Sequence, residues 1–235
     1  EDVQRLPRDR PVFLPKRNES DRPVSAQPAS LTSPGGSSAL DEETARAELY
    51  GLLSQLYYAA PSADLLSALR VAVTEAPADG AFLQEPWQVL VGAARELSDG
   101  AVAQEFDRLF GGVGKPEVYL YGSHYLSGFL NEKPLARLRS DLAQFGLARD
   151  EAMPETEDHV AYLCEVMRYL IAGDDMSVCH LTSQRDFYAT HLQPWLEALC
   201  DVLQAHPRAQ FYAALAGLTR AFAVVEAQAF DMLDS

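Results

Sequence analysis

Apolar side chains recur with helical spacing along most of the chain after residue 40. In the segment LDEETARAELYGLLSQLYYAA, residues 40–60, one face collects Leu49, Leu53 and Leu56, and the first turn is acidic. Acidic residues favour a helix start, and this spacing is that of an amphipathic helix. Residues 208–232 show the same pattern. The two ends of this region are therefore predicted to be helices with one buried face.

Prolines, glycines and serines divide the region between these two helices into further helical segments. Pro61 follows the first helix, Pro134 begins a later one, and Gly146 ends it. Helices are predicted at about 40–60, 62–75, 85–97, 99–110, 123–130, 133–146, 153–172, 177–205 and 208–232. Pro194 should kink or split the segment 177–205. β-branched residues never alternate for long enough to predict a strand. The predicted class is all-α, with about eight or nine helices in one globular domain, residues 40–235.

The first 39 residues have a different composition. Residues 5–38 contain six prolines and six serines, with no sustained period of 2 or 3.6. Such a segment buries too little apolar surface to offset the entropy cost of ordering it. Residues 1–39 are therefore predicted to form a disordered tail, and they contain no apolar stretch typical of a secretory signal peptide.

The charge is strongly negative and is concentrated in the helical region. The chain has a formal net charge of −15; residues 1–40 hold six basic and five acidic side chains, which leaves 13 basic and 29 acidic ones in the rest. A surface of this sign repels nucleic acid and anionic membranes and attracts basic ligands. No run approaches the roughly 20 apolar residues that span a bilayer. We predict no nucleic-acid binding and no stable membrane insertion.

Three cysteines, Cys164, Cys179 and Cys200, form no CxxC pair, and one is left over if two of them bridge. That pattern suits a reducing compartment, and the predicted location is the cytoplasm.

The sequence contains no motif of a common enzyme class. The segment GGVGKPEV, residues 111–118, resembles a phosphate-binding loop, but Leu109 stands where its first glycine would be and Pro116 replaces the Ser or Thr. No histidine pairs with Cys or Glu at a familiar metal spacing, and there is no GxSxG motif. The chain is predicted not to be an enzyme and to have no catalytic residue, no metal site and no cofactor.

One helix start is unusual for its polar residues. The segment MPETEDHVAYLCEVM, residues 153–167, places Glu155, Asp158 and His159 before an apolar stripe. On a helical wheel Asp158, Tyr162 and Glu165 lie opposite that stripe, and His159 lies at its border. A border histidine beside acids can recognise a cation or a peptide. The same residues can equally form a helix cap, and the sequence leaves both interpretations open.

Aromatic residues cluster in two other segments. VYLYGSHYL contains Tyr119, Tyr121 and Tyr125, and FYATHLQPWL contains Tyr188 and Trp195 near the proline. Tyrosine and tryptophan can line a groove for apolar peptides, or they can form the edge of a core.

The order of these segments resembles the TorD/DmsD family of cytoplasmic redox-enzyme maturation chaperones, over about residues 42–232. The most specific piece is E-x-x-D-H followed by L-x-x-x-M, which contains Leu163 and Met167. Two further pieces support it, the tyrosine-serine-tyrosine segment and the segment H-x-x-P-W. The sequence departs from the family in its proline-rich tail, and in P-E-T-E-D-H it lacks a second proline that is common near the acid-histidine pair, so fine specificity does not carry over.

The resemblance implies a TorD-like all-helical chaperone without covalent catalysis. Its partner would be the N-terminal signal peptide, commonly of twin-arginine type, of a molybdopterin-containing oxidoreductase, which is held as the apoenzyme until its cofactor is inserted before export. The client would be of the formate dehydrogenase or S- or N-oxide reductase type. The implied peptide-binding residues are Glu155, Asp158, His159, Tyr121, Ser123, Tyr125, His191 and Trp195.

Two other functions stay open at this stage. One is assembly of a molybdoenzyme that is not exported, as in chaperones of nitrate reductase. The other is binding or hydrolysis of a guanine nucleotide, against which the missing phosphate loop counts. The sequence does not choose between a monomer and a dimer.

Overall fold

A computed structural model describes residues 13–15, 36–74, 83–111, 115–128, 133–150 and 153–232, with side chains described from residue 42 onward. These residues contain ten helices and two short strands. The helices are α1 (Gly36–Tyr58), α2 (Ala63–Val71), α3 (Gln84–Glu96), α4 (Asp99–Phe110), α5 (Gly122–Ser127), α6 (Lys133–Gln144), α7 (Val160–Ala172), α8 (Leu181–His191), α9 (Gln193–Ala205) and α10 (Phe211–Asp231). The predicted all-α class is confirmed.

The core is built around α7, which packs along α1 and also contacts α8. Its apolar residues, among them Val160, Leu163 and Met167, are fully buried. Tyr162 is also fully buried and Glu165 is only 8% exposed, although the helical wheel placed both on an outer face. That expectation was wrong because α7 is enclosed by neighbours on nearly all sides, which a wheel for one isolated helix does not represent.

Local signals explain several of the helix boundaries. Ser62 and Ser98 cap α2 and α4 by accepting hydrogen bonds from Leu65 N and Ala101 N. Pro194 splits the segment predicted at 177–205, because α8 ends at His191 and α9 begins at Gln193. Proline fits there because the first turn of a helix needs no amide donor at that position.

Two short strands and several helix boundaries differ from the prediction. Strands β1 (Phe13–Pro15) and β2 (Leu147–Arg149) pair in antiparallel fashion, although no strand was predicted. Three residues are too few for alternation to appear in a sequence. Helix α1 begins at Gly36 rather than residue 40, and α7 begins at Val160 rather than residue 153. The predicted disorder of residues 1–12 and 16–35 lies outside the described residues.

The last helix, α10, is long and apolar enough by length and composition to cross a membrane. Here it packs on α9 and α3 and buries Phe211, Leu215 and Phe222. The buried carboxylate of Glu105 accepts hydrogen bonds from three amides at its start, at Gln210, Phe211 and Tyr212. A helix start fixed in this way by a carboxylate from α4 is part of the packed core.

A buried polar cluster joins α1, α8 and α10, and we call it the Arg46 cluster. The Arg46 guanidinium donates to both carboxylate oxygens of Glu226 at 2.7 and 2.8 Å and to Gln184 at 3.2 Å. Tyr50 donates its hydroxyl to Glu226, and the amide group of Gln184 donates to the carbonyl of Leu170. The polar groups of the cluster therefore have hydrogen-bond partners inside the fold.

Candidate peptide-binding site

The E-x-x-D-H segment forms a turn that leads into α7, and it pairs with the tyrosine-serine-tyrosine segment. Tyr121 and His159 form an isolated antiparallel bridge. On either side of it, Gly122 N donates to Asp158 O at 3.0 Å and Val160 N donates to Leu120 O at 2.8 Å. Two segments about 35 residues apart in the sequence therefore form one structural unit.

Asp158 is buried, and both oxygens of its carboxylate accept hydrogen bonds within this unit. One oxygen accepts the amide of Ser123 at 2.9 Å, and the other accepts the hydroxyl of Thr156 at 2.6 Å. Only 4% of the residue is exposed. Asp158 thus fixes the start of α5, and each of its two oxygens already accepts one hydrogen bond from a neutral group.

His159 is the N-cap of α7, a position where the helix dipole disfavours a positively charged side chain. Its Nδ1 accepts a hydrogen bond from Ala161 N at 3.2 Å. Burial lowers the pKa of His159 to about 4, against a smaller opposing effect of Asp158. The ring is therefore neutral near pH 7, and a neutral imidazole can accept a hydrogen bond at a helix start without placing a cation there.

Three tyrosines, Tyr58, Tyr121 and Tyr162, surround His159, and the carboxylate of Glu155 lies beside them. We call these four residues the tyrosine patch. The ring centroids of Tyr58, Tyr121 and Tyr162 lie 6.5, 5.1 and 5.6 Å from that of His159. The Tyr121 hydroxyl donates to Glu155, and burial together with this carboxylate raises the pKa of Tyr121. Tyr58, Tyr121 and Glu155 are half-buried, so the patch reaches the surface.

The other side of the same unit faces a cavity of about 400 Å³ between α5, α6, α8 and α9, which we call the groove. Its walls are mainly apolar. Among the residues that line them are Leu126, Leu138, Leu163, Pro194 and Trp195. Ser123, Asp158 and His191 add polar atoms, and Lys133 and Arg137 line the wall formed by α6.

Trp195 is held firmly in the groove wall. Its Nε1 donates to the carbonyl of His191 at 2.6 Å, and its ring stacks on Tyr125 with centroids 5.5 Å apart. A Cβ at position 122 would lie 2.9 Å from Trp195 Nε1, so the close approach requires Gly122. Tyr125 in turn donates its hydroxyl to the carbonyl of Tyr119.

His191 lies in the groove wall and contacts a carboxylate of α6. Its Nε2 is 2.8 Å from Asp141 Oδ2. Burial lowers the pKa of His191, Asp141 opposes this effect, and the nearby charge of Arg137 lowers the pKa further. Both His191 and Asp141 thus have a partner within the protein.

The eight predicted site residues therefore lie around one unit, but on two of its sides. Ser123, Asp158, His191 and Trp195 line the groove, with Tyr125 stacked behind the tryptophan. Glu155 and Tyr121 belong to the tyrosine patch, with His159 beneath it. Tyr58 was not predicted as part of the site, because nothing in the sequence connects the end of α1 with this region. Tyr162 was predicted to lie near Asp158 on the wheel, but it was not assigned to the site.

Comparison with known proteins gives consistent matches. The family model described as nitrate reductase delta subunit matches residues 76–201, which is more than half of the chain. The chaperone protein TorD of Vibrio cholerae serotype O1 is 28% identical over 204 residues, which cover 80% of this chain and 93% of that protein. TorD of Vibrio parahaemolyticus is 30% identical over 146 residues, which cover 57% of this chain and 68% of that protein.

These matches agree with the resemblance carried by the motifs, and the matched region contains the predicted site residues. The curated relatives are named as chaperones, which supports the prediction that the chain is not an enzyme. This chain belongs to the TorD/DmsD family of chaperones, whose shared domain is described as the nitrate reductase delta subunit.

Proposed function

We propose that this chain is a maturation chaperone that binds the N-terminal, twin-arginine-type signal of a molybdopterin-containing oxidoreductase. It holds the apoenzyme in the cytoplasm until the cofactor is inserted and the client is exported. The observation that carries the proposal is the groove, an apolar cavity of about 400 Å³ beside a carboxylate-bearing aromatic patch. A signal peptide offers the matching chemistry, because it has a basic region followed by an apolar segment.

The groove is suited to the apolar segment of such a signal. Leu126 is 42% exposed although it lines the groove, and the indole of Trp195 forms part of the opposite wall. Burial of apolar surface on both partners is the main source of affinity when a helix or extended peptide enters a groove. The fixed position of Trp195 reduces the entropy cost of binding.

The tyrosine patch is suited to a guanidinium group. Glu155 can accept hydrogen bonds from arginine, and the half-buried rings of Tyr58 and Tyr121 offer π faces beside it. Arginine binds carboxylates with bidentate geometry and is attracted to aromatic faces. We expect Glu155 rather than Asp158 to be the carboxylate partner, because Glu155 is half-buried whereas Asp158 is 4% exposed and both of its oxygens accept hydrogen bonds.

The acidic body and the thiols are consistent with this role. A net charge of −15 attracts a basic peptide at long range and increases its association rate at low salt. Cys164, Cys179 and Cys200 are free and buried, as is usual in a reducing compartment. The proposed location is therefore the cytoplasm.

The description of the matching family as nitrate reductase delta subunit favours one second candidate, a client molybdoenzyme that is not exported. Its N-terminus would lack the arginine pair but would still present an apolar segment to the groove. The two candidates differ in the importance of the tyrosine patch, and one titration can separate them.

The test measures binding of a fluorescent signal peptide to the full chain by anisotropy. Leu126→Glu places a charge in the groove at an exposed position, and we expect affinity to fall at least about tenfold because a charge replaces apolar contact. Val202→Glu is the matched control, because Val202 is an apolar residue of α9 that is 40% exposed and does not line the groove. Equal loss in both variants, or loss in neither, would contradict the groove assignment.

The arginine assignment is tested with the same peptide and Glu155→Gln, with Arg-to-Gln changes in the peptide. We expect each change to weaken binding about threefold to tenfold and the two together to cost less than their sum. Tight binding by a peptide without arginines that is unaffected by Glu155→Gln would favour the client that is not exported.

A further inference from the structure

Two cations in the groove wall stand out in an otherwise acidic protein. Lys133 and Arg137 line the groove, are exposed, and lie four residues apart, so both are on the same side of α6. Among the described residues, most arginines form an ion pair, as Arg139 does with Glu157 and Arg208 does with Glu117. Lys133 and Arg137 make no ion pair or hydrogen bond with any part of the chain that the structure describes.

Two carboxylates near the groove, Asp141 and Asp158, have hydrogen-bond partners elsewhere in the protein. Asp141, on the same helix, contacts His191 at 2.8 Å, and Asp158 accepts two hydrogen bonds from Ser123 and Thr156. The α6 wall therefore carries two cations without an ion-pair partner among the described residues, and the carboxylate that lines the groove, Asp158, accepts hydrogen bonds from neutral groups. This is the reverse of what the charge of the whole chain would lead one to expect.

A buried hydroxyl that lines the groove also lacks a hydrogen-bond partner. Ser123 is 1% exposed and lines the groove, and its Oγ has no hydrogen-bond partner among the described residues. A buried hydroxyl without a partner costs free energy, and a bound peptide group can supply the missing hydrogen bond. Apolar walls, an open hydroxyl and two cations together describe a site for an apolar segment that carries a carboxylate.

We infer that the groove recognises an acidic residue that flanks the apolar segment of the client, through Arg137 and Lys133, and so fixes the direction of the bound peptide. The arginines of the signal lie at the tyrosine patch, the apolar segment fills the groove, and the carboxylate lies at the α6 wall. This inference rests on the proposed function and adds a specificity-determining contact to it. Reversal of the peptide would bring arginines to Arg137, and like charges at short range are strongly unfavourable.

The test uses three synthetic peptides that share two arginines and one apolar stretch and differ after that stretch in carrying Asp, Asn or Lys. Each is titrated against the full chain at low and at moderate salt. We expect the wild type to bind the Asp peptide about threefold more tightly than the Asn peptide and about tenfold more tightly than the Lys peptide. Salt should reduce both ratios.

Arg137→Glu should reverse this order, so that the Lys peptide binds more tightly than the Asp peptide. Arg108→Glu is the matched control, because Arg108 is exposed, forms no ion pair with a described residue, and does not line the groove. It makes the same change in total charge and should keep the wild-type order. Both substituted side chains are exposed, so circular dichroism should show both variants folded.

The outcomes separate the two proposals. If the Asn peptide binds the wild type and is lost with Leu126→Glu, but Asp and Lys make no difference, the proposed function stands and this inference fails. If Arg108→Glu changes the order as Arg137→Glu does, only the total charge matters and the inference also fails. If none of the peptides binds, both proposals are overturned.

Discussion

The Arg46 cluster and the groove both place polar groups among packed helices, but they leave those groups in opposite states. In the cluster, Arg46, Tyr50, Gln184 and Glu226 donate to and accept from one another. In the groove, the hydroxyl of Ser123 and the charges of Lys133 and Arg137 have no partner among the described residues. Buried polar groups are normally paired, so the completed cluster indicates a structural role, and we take the unpaired Ser123 hydroxyl, which lines the groove, as a contact point for the proposed ligand.

The largest effect on stability is expected from a substitution at Glu226, the shared acceptor of the Arg46 cluster. Glu226→Leu leaves the Arg46 charge and the Tyr50 hydroxyl without their acceptor, and we expect unfolding free energy to fall by about 3–5 kcal/mol. Urea denaturation of the full chain measures this value. The matched double variant Arg46→Met, Glu226→Leu removes both charges and should recover most of the loss. A single variant that loses less than about 1 kcal/mol would show that the cluster is not structurally important.

His159, at the start of α7, gives a test that depends on pH. Its pKa is about 4 in the folded chain, below the ordinary 6.5, because it is buried. The unfolded chain therefore binds more protons between these values, and stability present above pH 6.5 is lost as the pH falls towards 4. The expected loss between pH 7 and pH 5 is about 2 kcal/mol.

His159→Asn is the control for this loss, since asparagine keeps an acceptor at the N-cap and does not titrate in this range. Other groups, including His191, also affect the pH profile, so the informative quantity is the difference between the wild type and the variant. Parallel profiles for the two proteins would mean that His159 is not held neutral by the fold.

The smallest effect on stability is expected at Ser123. Ser123→Ala removes a buried hydroxyl that lacks a partner, so unfolding free energy should not fall by more than about 0.5 kcal/mol. Peptide affinity should nevertheless fall about threefold, because the alanine offers nothing to the polar group of the peptide. Thr219→Ala is a useful contrast: Thr219 is also buried, but its hydroxyl is bonded to Tyr57 and to the Leu215 carbonyl, so it should lose stability instead. If Ser123→Ala lost more stability than Thr219→Ala, the distinction between hydrogen-bonded and unpaired buried hydroxyls would fail.

The helices were predictable because their signals are local. Helical spacing of leucines, serine caps and the proline at 194 each act within one or two turns, and they gave the class and most boundaries. The start of α7 was placed seven residues early, because acidic residues after a proline resemble a first turn. The bridge from Tyr121 to His159, which decides the true start, depends on a distant segment and leaves no local pattern.

The motifs pointed to candidate residues that the structure brings together around one unit, but they did not predict the arrangement of those residues. The motifs named Asp158, His159 and Trp195, yet the structure gives these three side chains capping and packing roles. The open groups belong partly to residues that no motif singled out, such as Lys133 and Arg137. Whether a charge has a partner is a property of tertiary contacts, and one sequence does not reveal it.

The bridge between Tyr121 and His159 also limits how this site can be transplanted. Grafting residues 155–159 onto another helical protein would carry the motif letters but not the strand-like partner at 120–122, and Asp158 would lose the amide that it accepts from Ser123. A functional graft needs both segments, together with a tryptophan that can approach a glycine as Trp195 approaches Gly122. The smallest portable form of this site is therefore a discontinuous set of three segments rather than a linear motif.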